Sequence, residues 1–416
     1  MIRLPPFRSA GFLLAASLLG CGTESPVKPV DPMEVRKLAP EIEADAQALV
    51  EGNNRFAFDL YSQLRTQTGN LFLSPYSVST AFGMASAGAA GQTQEEMTRV
   101  LHFPPQEKLH PTFGALQRSL DRGTQCGGYE LRIANRAWGQ SGFPFVQAFL
   151  DVTREHYGAE MQQADFQHGA EAARQVINGW VEQQTNSKIR DLFPAGSIDQ
   201  DTRLVLANAI YFKGLWARQF DRSQTTDAAF HLSASEVVSV PTMRREDKFR
   251  LARAEGVQML ELPYKGEDLS MLILLPDRID GLADLEAGLS PERLRALLDG
   301  LSEHEVPVKL PRFKIASKFE LPRVLSTMGM PSAFAPGEAD FSPMDGRRDL
   351  YISAAYHQAF VEVNEEGTEA AAATGIGVGI TSVPPSFTAD HPFLFLIRDN
   401  VTGSILFLGR VADPRS

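Results

Sequence analysis

The sequence predicts an α+β protein with one large domain over residues 41–416. Helical periodicity fills the first half of that span and short strand-like runs fill the second, an order that a βαβ repeat would not give. No linker, composition break or internal repeat divides it. The 416 residues are 43% hydrophobic and 22% charged, with 33 Gly and 26 Pro, which excludes collagen-like, coiled-coil and wholly disordered chains. Lys and Arg number 40 against 51 Asp and Glu, so nucleic acid is not an expected partner.

Residues 1–20 read as a signal peptide. Arg3 and Arg8 precede Gly11–Leu19, an apolar run too short to span a bilayer. The run ends Leu18-Leu19-Gly20-Cys21, which resembles the processing box of bacterial lipoproteins, with Leu19 a less usual residue at its position. Cys21 would then carry the lipid. Each buried CH2 contributes ~0.8 kcal/mol, so a multiply acylated cysteine anchors stably. The expectation is a protein held at the cell envelope or surface, or a secreted one if Cys21 is not acylated. Residues 21–40 carry Pro26, Pro29, Pro32 and Pro40 among polar residues and read as a semi-rigid tether.

Within the domain, Phe56, Leu60 and Leu64 recur at helical spacing. Thr93-x-x-Glu96 reads as a capping box. Cys126 stands alone between Gly123 and Gly128 and is assigned no role. Ala173, Val176, Ile177 and Trp180 share one helical face. Leu204–Phe212, Leu269–Leu275, Val306–Phe313, Phe393–Ile397 and Ile405–Leu408 read as strands.

Catalytic signatures are missing. There is no G-x-S-x-G, Walker loop, H-E-x-x-H or C-x-x-C, and the 8 His show no metal-ligand spacing. The one S-x-x-K, Ser25 to Lys28, is interrupted by Pro26, which prevents a helical nucleophile–base pair. Gly375, Gly377 and Gly379 lack the flanking strand and helix of a nucleotide-binding loop. No enzyme, metal or cofactor is expected.

Residues 365–393 carry the information. From Thr368 the run alternates, with Thr368, Ala370, Ala372, Thr374, Ile376, Val378 and Ile380 on one face and Glu369, Ala371, Ala373, Gly375, Gly377 and Gly379 on the other. Ala and Gly are poor strand formers, yet small side chains lose little freedom on entering a sheet. Such a segment can live as a loop and become a strand. The run Glu365-Glu366-Gly367-Thr368-Glu369-Ala370-Ala371-Ala372-Ala373-Thr374 resembles the reactive-loop hinge of inhibitory serpins. Leu73 to Phe82, Leu206 to Trp216, Glu261 to Gly266, Ser270 to Pro276, Leu310 to Phe313, Ala339 to Ser342, His357, His391 to Arg398 and Gly403 to Val411 resemble further motifs of that family, in family order.

The resemblance implies the serpin fold, helices plus three β-sheets with an exposed, insertable reactive-centre loop. It implies a suicide substrate of serine peptidases: the peptidase forms an acyl-enzyme, and the cut loop inserts into the central sheet, which drags the peptidase along and distorts its active site. Partners would be a serine peptidase bound covalently, with a cysteine peptidase as a second class, and the membrane only through the lipid; the protein would be a monomer. About 14 inserted residues at ~3.3 Å move the cut end by on the order of 45 Å. Family spacing places the reactive bond at Thr381–Ser382, with Ile380 as runner-up. No Lys or Arg lies between Gly367 and Pro385, which points to elastase-like or subtilisin-like targets. Ser74, Ser77, Asn208 and His357 would form the shutter and Trp216 would sit in the breach. On their own those residues read as a helix cap, a core histidine and core packing. The Gly375, Gly377 and Gly379 run departs from the family and is expected to slow insertion or loosen the loop. The alternative is a serpin-fold carrier or chaperone whose loop never inserts.

Overall fold

The computed structural model describes residues 31–368 and 385–416. The leader, Cys21 and the start of the tether lie outside the described residues, as does the run from Glu369 to Pro384. The helices in chain order are α1 (Pro32–Arg36), α2 (Pro40–Leu64), α3 (Pro75–Ser86), α4 (Gly91–Val100), α5 (Gln106–Gln125), α6 (Gln147–Tyr157), α7 (Phe166–Gln184), α8 (Leu282–Ala287), α9 (Pro291–Asp299), α10 (Leu321–Thr327) and α11 (Ser342–Asp345). The strands are β1 (Leu71–Leu73), β2 (Tyr129–Gln140), β3 (Gln162–Ala164), β4 (Leu204–Leu215), β5 (Thr226–His231), β6 (Val237–Ala254), β7 (Val257–Pro263), β8 (Leu269–Pro276), β9 (Ser302–Pro311), β10 (Phe313–Glu320), β11 (Ile352–Val363), β12 (Gly367–Thr368), β13 (Phe387–Thr388), β14 (Phe393–Asp399) and β15 (Ile405–Val411).

The tether reading is corrected for its second half. Pro32 and Pro40 do not break structure; each takes the first position of a helix, where proline's missing N–H costs nothing. The Asp31 carboxylate caps α1 by accepting from Met33 N. Residues 31–40 therefore belong to the folded unit and are not tether.

α2 buries Leu49, Phe56, Leu60 and Leu64 along one stripe. All residues of α3 are buried, so this helix crosses the interior behind a sheet. The capping box at Thr93 is not formed, because α4 starts two residues earlier. Thr93 Oγ1 accepts from Asp340 N at 2.9 Å, and the Glu96 carboxylate accepts from Ser332 N and Oγ, each at 2.9 Å. On α7, Ala173, Ile177 and Val181 face inward while Val176 is 58% exposed, so the apolar stripe follows i, i+4, i+8 and is narrower than expected.

Among the described residues, two hydrogen-bonded sheets carry the strands. The central one runs β10-β11-β4-β2-β3, with β12 on β4. The other runs β1-β15-β14-β8-β7-β6-β9-β13, with β5 on β6. Two of the three expected sheets are joined here, because the 18-residue β6 pairs with β5 at its start and β7 at its end and with β9 along most of its length. The expected strand Val306–Phe313 is divided at Arg312, whose N–H donates to Pro241 O between β9 and β10. Aromatic rings join the two sheets: Phe313 of β10 lies 5.2 Å from Phe395 of β14, and Phe212 of β4 lies 5.7 Å from Phe407 of β15, each pair tilted. Among the described residues no helix is long and apolar enough to cross a membrane.

Candidate functional site

The candidate site is the line between the parallel strands β4 and β11 of the central sheet, the parting line that the resemblance implies. Among the described residues, every strand pair in that sheet except two is antiparallel, and the exceptions are the edge pair β2–β3 and the inner pair β4–β11. The β4–β11 ladder starts at Leu204–Ile352 and stops at Tyr211–Phe360. Above that point β4 continues to Leu215, and its free edge is taken by β12, with Gly367 opposite Leu215 and Thr368 opposite Gly214. The chain climbs β11, turns through Asn364–Gly367 and starts down again antiparallel to β4.

That turn needs glycine. Gly367 has φ +146°, and a Cβ there would stand 2.0 Å from Gly214 O. Asn364 N donates to Gly367 O at 2.9 Å, closing the turn. Glu365 and Glu366 are both buried. The Glu365 carboxylate accepts from Arg312 Nε at 2.7 Å and from Thr225 Oγ1. Burial pushes the Glu365 carboxyl up, but those hydrogen bonds and the Arg312 charge outweigh it and leave it below the usual carboxylate range. Glu366 pairs with Arg222 Nη2 at 2.6 Å.

Trp216 lies directly beyond β4. Its ring stacks on Tyr264 at 4.7 Å and its Nε1 donates to Asn364 O at 3.0 Å, while its N–H donates to Glu366 O at 3.0 Å. Both the side chain and the backbone of this residue therefore hold the base of the loop, which is more than core packing.

Midway along the parting line, His357 on β11 stands opposite Asn208 on β4. Ser74 N donates to His357 Nε2 at 3.0 Å, which leaves the ring proton on Nδ1, donated to Asn208 Oδ1. Burial lowers the His357 pKa to about 3, so the ring is neutral. Asn208 Nδ2 donates to Ser77 Oγ at 2.7 Å and to Ser77 O at 2.9 Å. Ser74 Oγ caps α3 by accepting from Ser77 N and donates to Leu406 O at 2.7 Å. The structure thus brings Ser74, Ser77, Asn208 and His357 into one buried network. Sequence reasoning missed its fifth member, Asn135 on β2, which bonds to both Asn208 and Ser77. It also missed Arg312, Arg222 and Tyr264. Arg312 lies inside a motif already noted, but nothing local in the sequence names its partner.

The far end of the loop returns at β13, where Phe387 and Thr388 pair parallel with Val308 and Lys309 of β9. Thr381, Ser382, Ile380 and the hinge residues from Glu369 to Thr374 lie outside the described residues, as do the three glycines that follow. Cys126 caps the end of α5, and its thiol donates to Arg122 O at 3.4 Å. Among the described residues no group of three His, Cys, Asp or Glu could hold a metal ion.

Residues 51–414 match the profile of the family described as Serpin (serine protease inhibitor). The chain is 43% identical to human leukocyte elastase inhibitor over 380 residues, covering 88% of this chain and 100% of that one. It is 42% identical to human serpin B3 over 391 residues, with the same coverage. Among solved structures it is similar to uncleaved ovalbumin, at a TM-score of 0.79 and 32% identity over 88% of this chain and 100% of that one. It is also similar to Serpin48 of Tenebrio molitor, at a TM-score of 0.80 and 36% identity over 88% and 98%.

Proposed function

The chain belongs to the serpin family, and from that premise we propose that it traps serine peptidases as a suicide substrate, by swallowing its own cut loop into the central sheet. The expectation of no enzyme, read from missing motifs, gives way to the positive statement that the family carries: serpins are serine protease inhibitors.

The observation that carries the proposal is β12. Two residues of the loop already lie on the free edge of β4, in a register that the next residues can continue. Continued downward, Glu369 to Val378 would face Lys213 to Leu204, ten further residues at ~3.3 Å each. The parallel β4–β11 ladder would be replaced by two antiparallel ones, which are slightly stronger per residue. Glu369 would face the Lys213 cation. The Ala and Gly face would turn toward Val205, Ala207, Ala209 and Tyr211, the side of β4 covered by α7. Small residues suit that narrow space, so the glycine run is compatible with entry.

Thr381–Ser382 is the proposed reactive bond, with Ile380–Thr381 next to it, and the proposed targets are elastase-like or subtilisin-like peptidases. One relative is named as an inhibitor of leukocyte elastase. We also propose export through residues 1–20 and anchoring through Cys21. The test mixes the protein with elastase, subtilisin, chymotrypsin, trypsin and a cysteine peptidase. Elastase or subtilisin is expected to give an SDS-resistant band, with the cut after Thr381 by mass spectrometry. Clean cleavage without a band by all five would leave a carrier or chaperone reading, and a trapped trypsin would refute the target class. Labelled palmitate in the same culture reads the anchor: label that persists in a Cys21→Ser chain removes it.

A further inference from the structure

α1 lies ahead of the residues that the family profile matches, yet it is built into the body. Arg36, its last residue, is fully buried. Its Nη1 donates to Asp268 Oδ2 at 2.7 Å, its Nη2 pairs with Asp399 Oδ1 at 2.8 Å, and its Nε donates to Ser119 O at 3.2 Å. Ser119 Oγ donates back to Arg36 O at 2.7 Å. Both aspartates are buried as well. Two glycines make the seat: a Cβ on Gly123 would stand 2.7 Å from Arg36 Cδ, and one on Gly266, at φ +98°, would press on Pro32.

Arg36 joins α5, on the β2–β4 side of the parting line, to the second sheet, which packs on both sides of that line: Phe212 of β4 lies 5.7 Å from Phe407, and Phe313 of β10 lies 5.2 Å from Phe395. Ser119 belongs to α5, which rests on β2 through Tyr129 Oη donating to Leu120 O at 3.1 Å, and β2 pairs with β4. Asp268 precedes β8 and Asp399 ends β14, two adjacent strands of the second sheet. That sheet is coupled to β10, and so to β11, through Phe313 packed on Phe395 and Phe72 N donating to Ser317 Oγ. If β4 and β2 move away from β11 to admit a strand, α5 moves relative to Asp268 and Asp399, and Arg36 cannot keep both sets of partners.

We propose that Arg36 is a positioning residue for loop insertion: the strap from Asp31 to Lys37 clamps α5 to the second sheet and holds the central sheet closed until the loop is cut. This rests on the inhibitor reading above. A chain without the clamp inserts its loop early and disarms itself.

The test uses the whole chain and Arg36→Gln, which keeps hydrogen-bonding capacity and loses the charge. Two quantities are read: the rate at which inhibition of elastase decays on warm storage, and the unfolding temperature before and after the loop is cut. The expected result is decay faster by about tenfold, equivalent to ~1.4 kcal/mol of barrier. The unfolding temperature should fall in the intact protein and barely change in the cut one. Arg36→Lys should restore part of the wild-type behaviour, and it carries the same test if Arg36→Gln does not fold. Equal losses in intact and cut forms, or an unchanged decay rate, would overturn the clamp while leaving the inhibitor reading standing. A wild-type protein that gains nothing on cutting would sink both.

Discussion

His357 shows at a single residue what the parting line is made of. Its ring accepts from Ser74 N and donates to Asn208, so it bridges β11 to α3 and β4 only while neutral. Burial holds its pKa down to about 3, whereas an unfolded chain would bind the proton below ~6.5. The unfolded state therefore takes up a proton that the folded state refuses. Stability is whole above about 6.5 and falls as pH drops toward about 3, by up to ~1.4 kcal/mol per pH unit. His110, lowered to about 4 by burial, adds a slope of the same sign. The comparison that isolates His357 is thus wild type against His357→Gln in urea at pH 7 and pH 4.5. The variant is expected to be less stable at pH 7 and to close much of that gap at pH 4.5. Parallel behaviour would mean the ring titrates normally. Four members of this network were legible in the sequence only through the family pattern. Asn135 was not, since a lone Asn in a stretch without clean alternation looks like any half-exposed position. Arg312 and Arg222 were hidden for a related reason: each meets its glutamate across more than 50 residues of chain.

Elements were legible where periodicity decides and obscure where tertiary contacts do. The long apolar strand β4 and the C-terminal pair β14 and β15 follow from their runs. α1 was hidden because a proline at a first helical turn and a proline in a tether have the same letter; the buried Arg36 that tells them apart is a tertiary fact. The strand β2 was missed because its burial is irregular along its length. At this scale β12 makes a sharp forecast. Its register sends Thr374 opposite Asn208, and opposed residues on antiparallel strands point to the same face. Thr374 would enter between Asn208 and His357, where a hydroxyl can take over the hydrogen bond that insertion breaks. Thr374→Glu would bring an unpaired carboxylate into that buried space, at a cost of several kcal/mol. Insertion should stall near its midpoint, while the distant reactive bond is still cut. The expected outcome is at least a tenfold rise in the molar ratio of protein needed to inhibit elastase, with an unchanged rate of loop cleavage. An unaltered ratio would show that the loop does not follow this register.

For the whole molecule, the question is whether the uncut form is the most stable arrangement of its own chain. One interior ladder is parallel, in a sheet otherwise antiparallel there, and its upper edge is only partly covered by two residues of β12. On the proposed mechanism, cutting the loop would free a segment whose sequence alternation suits that edge. Entry gives up one parallel ladder and makes two antiparallel ones, a net gain of about one ladder over ten residues. At ~1 kcal/mol per bond the difference is on the order of 10 kcal/mol, as large as the entire stability of a typical domain. A protein of this size should then unfold at least about ten degrees higher once cut. The measurement is thermal unfolding by circular dichroism before and after limited cleavage between Glu369 and Pro384, with the two fragments kept together. A second cut at an exposed turn elsewhere is the control, because nicking alone should lower the midpoint. If the loop-cut form melts with the intact form, the gap beside β4 is not a slot for the loop, and the energy to deform a bound peptidase must be sought elsewhere.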